Sequence, residues 1–221
     1  MTAMKVGTDG VLLGAWSCVP SSGNVLDIGT GTGLLALMIA QRCKSKVHAI
    51  EIDKDSFLQA SENICNSPWS DRVTAGHISF NDFILTYTGL FDLIISNPPY
   101  FRHSLKPSHK GRILARHDDR LPREELLEGV SKLLKKDGLF STILPYENAG
   151  DFISLAGTHN LFPVRKLIVY PKEGKPARRM LLTFSRHNKI CEIETLHIET
   201  AERHQYSDAY KELTKEFYIR L

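Results

Sequence analysis

The chain contains 221 residues, of which 42% are hydrophobic, and carries a formal net charge of +3. This size suits one domain with a sizeable core, so we expect residues 1–221 to form a single domain. No run approaches the ~20 apolar residues that span a bilayer, and the first residues lack the layout of a signal peptide, which predicts a cytoplasmic protein without a membrane segment. The four cysteines are widely spaced and form no C-x-x-C pair, which argues against a disulfide scaffold and against a metal site.

Short apolar runs alternate with helical patterns through the first two thirds of the chain. This alternation predicts an α/β fold in which helices cover both faces of a mostly parallel sheet. Gly138 is predicted to end the last of these helices in the left-handed conformation. Strands are predicted at residues 25–28, 47–50, 73–78, 93–96 and 140–144, and helices at 34–41, 55–66 and 123–136.

The last third of the chain has a different pattern. Residues 164–170 and 180–186 flank a turn that contains Pro and Gly, and they predict an antiparallel pair at the end of the sheet. Residues 190–199 alternate polar and apolar positions, as in an exposed strand. Residues 207–218 have the pattern of an amphipathic helix capped by Ser207.

A glycine-rich turn lies between the first predicted strand and helix. Asp27 is followed by Gly29, Gly31 and Gly33, which allow the backbone to approach a ligand where a Cβ would collide, and the next helix offers N–H groups at its start. Glu51 ends the second strand 18 residues after Gly33, near the ~20-residue offset of an acid that binds ribose hydroxyls. This spacing favours a nucleoside-containing cofactor.

The fourth predicted strand ends in Asn97-Pro98-Pro99-Tyr100. An amine or amide attached to a π system is a poor nucleophile because its lone pair is delocalised. The Asn97 side-chain oxygen and the Pro98 carbonyl can accept hydrogen bonds from its two N–H groups, while the Tyr100 ring stacks on the planar group. This turn indicates methyl transfer to such a nitrogen.

The two motifs together favour S-adenosylmethionine as the cofactor. A nicotinamide enzyme usually carries G-x-G-x-x-G, and hydride transfer has no use for the Asn97 turn. In S-adenosylmethionine, the carboxylate and ammonium suit the glycine turn and Asp27, and the ribose suits Glu51. The methyl group would then face Asn97.

Positive charge is concentrated in two stretches of the chain. Residues 101–123 contain seven Lys or Arg against two Asp, a net charge of +5, and residues 163–189 contain eight against one Glu, a net charge of +7. Clustered cations attract phosphates and release their counterions. The first stretch directly follows Tyr100, where an acceptor would enter, so the charge distribution predicts a nucleic-acid partner.

Segments 4–10, 27–33, 95–100 and 206–210 in combination resemble the bacterial tRNA1(Val) (adenine-37 N6)-methyltransferases, and the resemblance spans almost the whole chain. It implies a class I, Rossmann-like methyltransferase fold with a seven-stranded type of sheet. It also implies methylation of adenine N6 in a tRNA anticodon loop, with S-adenosylmethionine as the donor.

The same resemblance implies roles for individual residues. Family members usually carry a lead segment before the Lys5 motif, so we expect part of an RNA-contacting arm to be absent. Ser79 stands where an acid normally faces the cofactor adenine, and Asn81 or Asp82 is an alternative contact. The implied catalytic residues are Asn97, Pro98 and Tyr100; the implied cofactor residues are Lys5, Thr8, Asp27, Gly29, Gly31, Gly33, Glu51, Ile52, Ser79 and Asn97; and the implied RNA-binding residues are Arg102, Arg116 and Arg179.

Other functions fit parts of the sequence. A protein glutamine N5-methyltransferase would use the Asn97 turn equally well, but a peptide acceptor requires no phosphate-binding face. Another RNA or DNA amino-methyltransferase is chemically equivalent, although 221 residues leave little room for a domain that reads duplex DNA. A noncatalytic RNA-binding module would leave Asp27, Glu51 and Asn97 without a purpose. The sequence does not specify an oligomeric state.

Overall fold

The computed structural model describes residues 7–98, 121–200, 202 and 205–218, which contain eight strands and seven helices. The strands are β1 (Asn24–Ile28), β2 (Lys46–Glu51), β3 (Val73–His77), β4 (Phe91–Ser96), β5 (Leu134–Pro145), β6 (Phe162–Lys172), β7 (Arg179–Ser185) and β8 (Glu192–Glu199). The helices are α1 (Thr8–Trp16), α2 (Leu34–Arg42), α3 (Lys54–Cys65), α4 (Phe80–Thr86), α5 (Arg123–Leu133), α6 (Tyr146–Thr158) and α7 (Asp208–Thr214).

The eight strands form one sheet in the order β3-β2-β1-β4-β5-β7-β6-β8. Strands β1 to β5 are mutually parallel, β7 is antiparallel to both β5 and β6, and β8 is parallel to β6. The carboxyl ends of β1 to β6 and of β8 therefore lie at one edge of the sheet, together with the amino end of β7. We refer to this edge as the carboxyl edge.

The predicted α/β fold with a mostly parallel sheet is confirmed. The predicted antiparallel pair corresponds to β6 and β7, but this pair does not end the sheet. The predicted exposed strand forms β8, which adds an eighth strand beside β6. The side chain of Ile193 on β8 is 65% exposed, as expected for a strand at the edge of a sheet.

Both faces of the sheet are buried, which explains why the central strands are continuous apolar runs. In β4, Ile94 points into the core beneath α4, α5 and α6, whereas Leu93 and Ile95 point into the core on the opposite face. That second core includes Leu12 and Leu13 of α1, together with apolar residues of α2, α3 and α7.

The prediction for the end of α5 was wrong. The helix ends at Leu133, and Leu134 is already extended, with φ −79° and ψ 132°. The Arg186 guanidinium donates hydrogen bonds to the carbonyls of Ser131 and Leu134, so the end of the helix needs no left-handed glycine. Gly138 instead lies within β5, in an irregular stretch that Lys135 secures through two 2.9 Å contacts with the Asp92 carboxylate.

Three helices, α1, α4 and α6, were not predicted. Residues Gly10–Trp16 of α1 are all buried, so this helix has no polar face that would reveal the helical period. The seven-residue helix α4 begins after Ser79, whose Oγ accepts a hydrogen bond from the Asp82 N–H at 3.1 Å. The predicted Ser207 cap is confirmed, because its Oγ accepts from the Tyr210 N–H at 3.1 Å, although α7 ends at Thr214.

None of the helices in the described ranges is both long and apolar enough to cross a bilayer. The same ranges contain no group of three or more His, Cys, Asp or Glu side chains placed to hold a metal ion. All four cysteines have free thiols, and Cys43 is the one that is buried.

The close packing around Gly138 generates a test of the β4–β5 contact. A Cβ at this position would lie 2.9 Å from the Phe91 carbonyl oxygen and 2.9 Å from Leu134 Cδ1. We expect Gly138→Ala to lower the free energy of unfolding by about 1–3 kcal/mol, as overpacking does elsewhere. Urea unfolding checks this, with Gly150→Ala on α6 as the matched control because nothing lies within 4 Å of its added Cβ. Equal stability of the two variants would contradict the proposed close contact.

Candidate active site

Four neighbouring strands bring the predicted site residues together at the carboxyl edge. In the order β3-β2-β1-β4, these strands lead into Ser79, Glu51, the glycine turn after Asp27, and Asn97. Neighbouring strands are about 4.8 Å apart, so the row spans about 14 Å. An elongated ligand can therefore contact all four positions at once.

The glycine turn provides room for a ligand. Gly29, Gly31 and Gly33 have φ of 68°, 59° and 84°, a conformation that other residues adopt at a cost. A Cβ at Gly29 or Gly31 would have no atom of the described residues within 4 Å. The N–H groups of Gly29 and Thr30 both donate to the Ile50 carbonyl, at 2.9 and 3.0 Å. These two N–H groups thus fix the turn against β2, and its open side offers space for close backbone approach.

The Asp27 carboxylate is fully buried beneath this turn. Its Oδ2 accepts a hydrogen bond from the Thr30 hydroxyl at 2.6 Å, whereas its Oδ1 has no hydrogen-bond partner among the described residues. Burial raises the pKa of Asp27 to about 7; the Thr30 hydroxyl and the nearby Ala36 N–H oppose this shift, and the charge of Glu51 adds to it. A buried acceptor without a partner, next to open space, is suited to a cationic or hydrogen-donating ligand group.

Glu51 is held by the backbone on both sides of its carboxylate. Its Oε2 accepts from the Gly31 N–H at 2.8 Å, and its Oε1 accepts from the N–H groups of Ile52 and Asp53 at 2.9 and 3.0 Å. Each carboxylate oxygen can accept more than one hydrogen bond. Three of its about four acceptor sites are used, so Glu51 has a fixed orientation and Oε2 can still accept one hydrogen bond from a ligand hydroxyl.

The far end of the row lies beside β3. The Ser79 hydroxyl donates to Asp82 Oδ2 at 2.6 Å in addition to capping α4, so the helix start already uses it as both donor and acceptor. The side chain of Ile52 is 47% exposed at the end of β2. The ring of His77 stacks on Phe57, with 5.3 Å between the centroids. This end of the row offers flat and apolar surface beside the polar group of Ser79.

Asn97 and Pro98 occupy the other end, against the start of α1. Asn97 is half-buried and Pro98 is buried. A Cβ at Gly10 would lie 3.9 Å from Asn97 Nδ2 and 3.2 Å from Leu34 Cδ2, so glycine at this position lets α1 approach both the Asn97 turn and the start of α2. Thr8, the first residue of α1, lies two residues before Gly10 and is exposed.

The remaining predicted residues divide into two groups. Arg179, at the start of β7, donates from Nε to Asp9 Oδ2 at 2.9 Å and from Nη1 to the Arg178 carbonyl at 3.0 Å. The Asp9 pair ties the start of α1 to the carboxyl edge. Four other predicted site residues lie outside the described ranges: Lys5, Tyr100, Arg102 and Arg116.

Sequence reasoning missed two residues that organise the site. The Thr30 hydroxyl donates to the Asp27 carboxylate. Thr30 follows Asp27 by three residues in a tight turn, and this spacing could have indicated the contact. Asp9 holds Arg179 across 170 residues of sequence, which local patterns do not reveal.

The raised pKa of Asp27 generates a test of its burial. In the native state this group keeps a proton up to about pH 7, whereas the unfolded chain releases it near pH 3.8. The proton that Asp27 binds more tightly in the native state therefore stabilises the fold. This contribution to the free energy of unfolding is fully present below about pH 4 and is lost as pH rises through about 7. We expect the stability of Asp27→Asn relative to the natural protein to increase by about 2–3 kcal/mol from pH 5 to pH 8, measured by urea unfolding. A difference that does not change with pH would show that Asp27 titrates normally.

Comparison with known proteins identifies the family. Residues 8–140 match the family model described as the methyltransferase small domain. A tRNA1(Val) (adenine(37)-N6)-methyltransferase from Bacteroides fragilis strain YCH46 is 49% identical over 220 residues, which cover 99% of this chain and 92% of that protein. The protein of the same name from Pectobacterium carotovorum subsp. carotovorum strain PC1 is 46% identical over 219 residues, with 98% and 88% coverage.

A solved structure shows the same fold. The crystal structure of a predicted O-methyltransferase from Agrobacterium tumefaciens matches this chain with a TM-score of 0.73 at 18% identity, and the match covers 94% of this chain and 96% of that one. The architecture is that of the class I methyltransferases. By its sequence and its fold, the chain belongs to the tRNA1(Val) (adenine(37)-N6)-methyltransferase family.

Proposed function

We propose that this protein transfers a methyl group from S-adenosylmethionine to N6 of adenine 37 in a valine tRNA. The observation that carries this proposal is the placement of the glycine turn and Asn97 on the adjacent strands β1 and β4, at one edge of the sheet. A cofactor bound at the glycine turn would therefore lie next to an acceptor bound at Asn97. The names of the relatives support adenine 37 of a valine tRNA as the acceptor.

The residues present fit S-adenosylmethionine. The unpartnered Asp27 Oδ1 suits its ammonium group, and the open positions at Gly29 and Gly31 admit its amino-acid portion. Glu51 Oε2 retains acceptor capacity for a ribose hydroxyl. Ile52 and Ser79 would border the adenine, with Asn81 or Asp82 as the alternative polar contacts. When bound, the cofactor supplies an electrophilic methyl group on a sulfonium centre.

The protein's contribution to the chemistry is position and hydrogen-bond acceptance. The Asn97 side-chain oxygen and the Pro98 carbonyl would accept hydrogen bonds from the two N6 protons, which draws the nitrogen lone pair out of conjugation. Tyr100 would stack on the adenine. The N6 proton becomes acidic as the new bond forms, so no strong base is required. Thr8 and Lys5 would border the same end of the site.

A tRNA partner is supported by charge. Residues 163–189 carry a net charge of +7, and four of their eight cations, Lys172, Lys175, Arg178 and Arg179, lie at the carboxyl edge, where β6 ends and β7 begins. Arg179 would contribute to phosphate binding while it remains paired with Asp9. Arg102 and Arg116 belong to the other basic stretch, for which the same role is proposed. A tRNA substrate would place the protein in the cytoplasm, and one continuous sheet supports a single domain.

The direct test is incubation with unmodified tRNA and isotopically labelled S-adenosylmethionine, followed by nucleoside analysis. We expect N6-methyladenosine at position 37 of a valine tRNA. Label recovered on a protein glutamine instead, with none on RNA, would replace this proposal with the glutamine N5-methyltransferase.

We expect Asn97→Ala to lower kcat on tRNA by at least about a hundredfold while changing cofactor affinity only slightly. Its hydrogen bond to N6 strengthens as the nitrogen becomes tetrahedral, so the loss falls on the transition state. Single-turnover methylation measures the rate on tRNA, and calorimetry measures the affinity for the cofactor. Asn188→Ala, an exposed position just beyond the opposite end of β7, is the matched control. Near-normal turnover in Asn97→Ala would exclude its catalytic role.

We expect Glu51→Gln to weaken S-adenosylmethionine binding by about 1.5–3 kcal/mol. The substitution removes a charged acceptor. The NH2 group of the new glutamine side chain would also face backbone N–H donors, either that of Gly31 or those of Ile52 and Asp53, and could not accept from them. Calorimetry with cofactor alone measures the change. Glu62→Gln, on the exposed side of α3, removes the same charge from a remote surface. If both variants bind the cofactor equally well, Glu51 does not contact it.

A further inference from the structure

The carboxyl edge continues well beyond the residues already assigned. From Asn97 on β4 it runs across β5, β7, β6 and β8. Four side chains able to stack on or pair with nucleotides lie along it: Tyr146 directly after β5, Arg178 directly before β7, Tyr170 near the end of β6, and His197 near the end of β8. We call these four residues the edge row.

Backbone hydrogen bonds hold the first part of the edge row in place. The Tyr146 N–H donates to the Arg178 carbonyl at 3.1 Å, and the Arg178 N–H donates to the Val169 carbonyl at 2.9 Å. Tyr146 is 43% exposed, which is unusual for a large aromatic side chain next to a buried strand end. Arg178 is also exposed. The backbone positions that carry the aromatic ring and the guanidinium group are thus fixed beside each other at the surface.

The outer part of the edge row is an aromatic pair. Tyr170 and His197 are directly opposite each other in the β6–β8 register, and their rings stack with centroids 4.8 Å apart. Alternation along β6 turns Tyr170 away from its buried neighbour Val169. Both rings are half-buried, so part of the stack remains open to solvent.

Four cations of the stretch 163–189 lie at the carboxyl edge near the edge row: Lys172, Lys175, Arg178 and Arg179. Glu173 lies among them, and Glu199 is opposite Lys172 in the β6–β8 register. Lys172 ends β6, and Lys175 is exposed in the turn that follows. Aromatic platforms set in a basic surface are the recurrent means of binding single-stranded nucleic acid.

Distance indicates which nucleotides the edge row would meet. The Ser96–Thr142 pairing puts Ile143 level with Asn97, and Tyr146 follows Ile143 by three residues. This corresponds to about 10 Å, since each strand residue advances about 3.3 Å. This offset runs along the strand axis, away from the sheet, and the sideways distance from β4 to β5 is about 4.8 Å. Tyr146 therefore lies beside the Asn97 turn and further out from the sheet, where nucleotides next to the reacting base would pass.

We propose that the edge row binds the unpaired nucleotides that flank the methylated adenine, with Tyr146 and Tyr170 stacking on bases and Arg178 pairing with a phosphate. This inference rests on the proposed tRNA substrate and adds the direction in which the RNA leaves the active site. The RNA crosses β5, β7, β6 and β8 and not β2 and β3, which serve the cofactor. Unpaired loop nucleotides suit this surface because their bases are free to stack on side chains.

The test uses steady-state methylation of an unmodified valine tRNA transcript at several salt concentrations. Tyr146→Ala should raise KM for tRNA about tenfold, leave kcat within about twofold, and leave the salt dependence of binding unchanged, because a neutral ring is lost. Tyr146→Phe should restore KM. Arg178→Ala should flatten the slope of log K against log salt by about one. Tyr170→Leu should raise KM several-fold.

Matched controls separate these effects from general surface changes. Ile190→Ala removes a side chain that is 95% exposed near the amino end of β8, and Lys44→Ala removes an exposed cation just before β2. Variants of the edge row that behave like these controls would overturn the inference. Loss of cofactor affinity in Tyr146→Ala would also overturn it, because that result would mean that Tyr146 supports the fold and does not contact RNA. A natural protein that methylates no tRNA would instead refute the proposed function.

Discussion

The register of β1 against its two neighbours is the constraint on which the site depends. Asp27 pairs with Ala49 of β2 on one side and with Ile95 of β4 on the other. These two pairings fix the levels at which Glu51 and Asn97 leave the sheet. A slip of one residue would turn every side chain of β1 to the opposite face and remove the Asp27 carboxylate from beneath the glycine turn. The apolar cores on both faces make such a slip costly.

The site concentrates features that by themselves destabilise a fold. A fully buried carboxylate, one of whose oxygens has no hydrogen-bond partner in the described part of the chain, lies below three glycines with positive φ. Such arrangements persist where the surrounding structure over-determines them. Here the Thr30 hydroxyl, the two N–H contacts to the Ile50 carbonyl and the three N–H contacts to Glu51 supply that constraint. The consequence is a rigid cradle that needs little reorganisation when a ligand arrives.

Helix α1 connects this cradle to the rest of the edge. Its start approaches Asn97 and pairs with Arg179 through Asp9. Its last residue, Trp16, donates from Nε1 to Glu194 of β8 at 3.2 Å, while the Arg165 guanidinium lies 4.6 Å above the Trp16 ring. One short helix therefore contacts the Asn97 turn, Arg179 of the basic stretch, and β8. It connects the end of the sheet that carries the glycine turn with the end formed by β7, β6 and β8.

The sequence by itself determined the α/β class, most strand positions, and the residues Asp27, Glu51 and Asn97, because strand periodicity, glycine spacing and the Asn97 turn are all local patterns. It did not determine where α5 ends, since Arg186 and Asp92, both distant in sequence, replace the expected glycine stop. It also gave no sign that β8 lies outside β6. Only the tertiary structure decided that Asp9 holds Arg179 and that Tyr146, Arg178, Tyr170 and His197 share one edge. The physical reason is that strand order is fixed by burial and by pairing between distant parts of the chain, and short-range sequence patterns carry no information about such pairing.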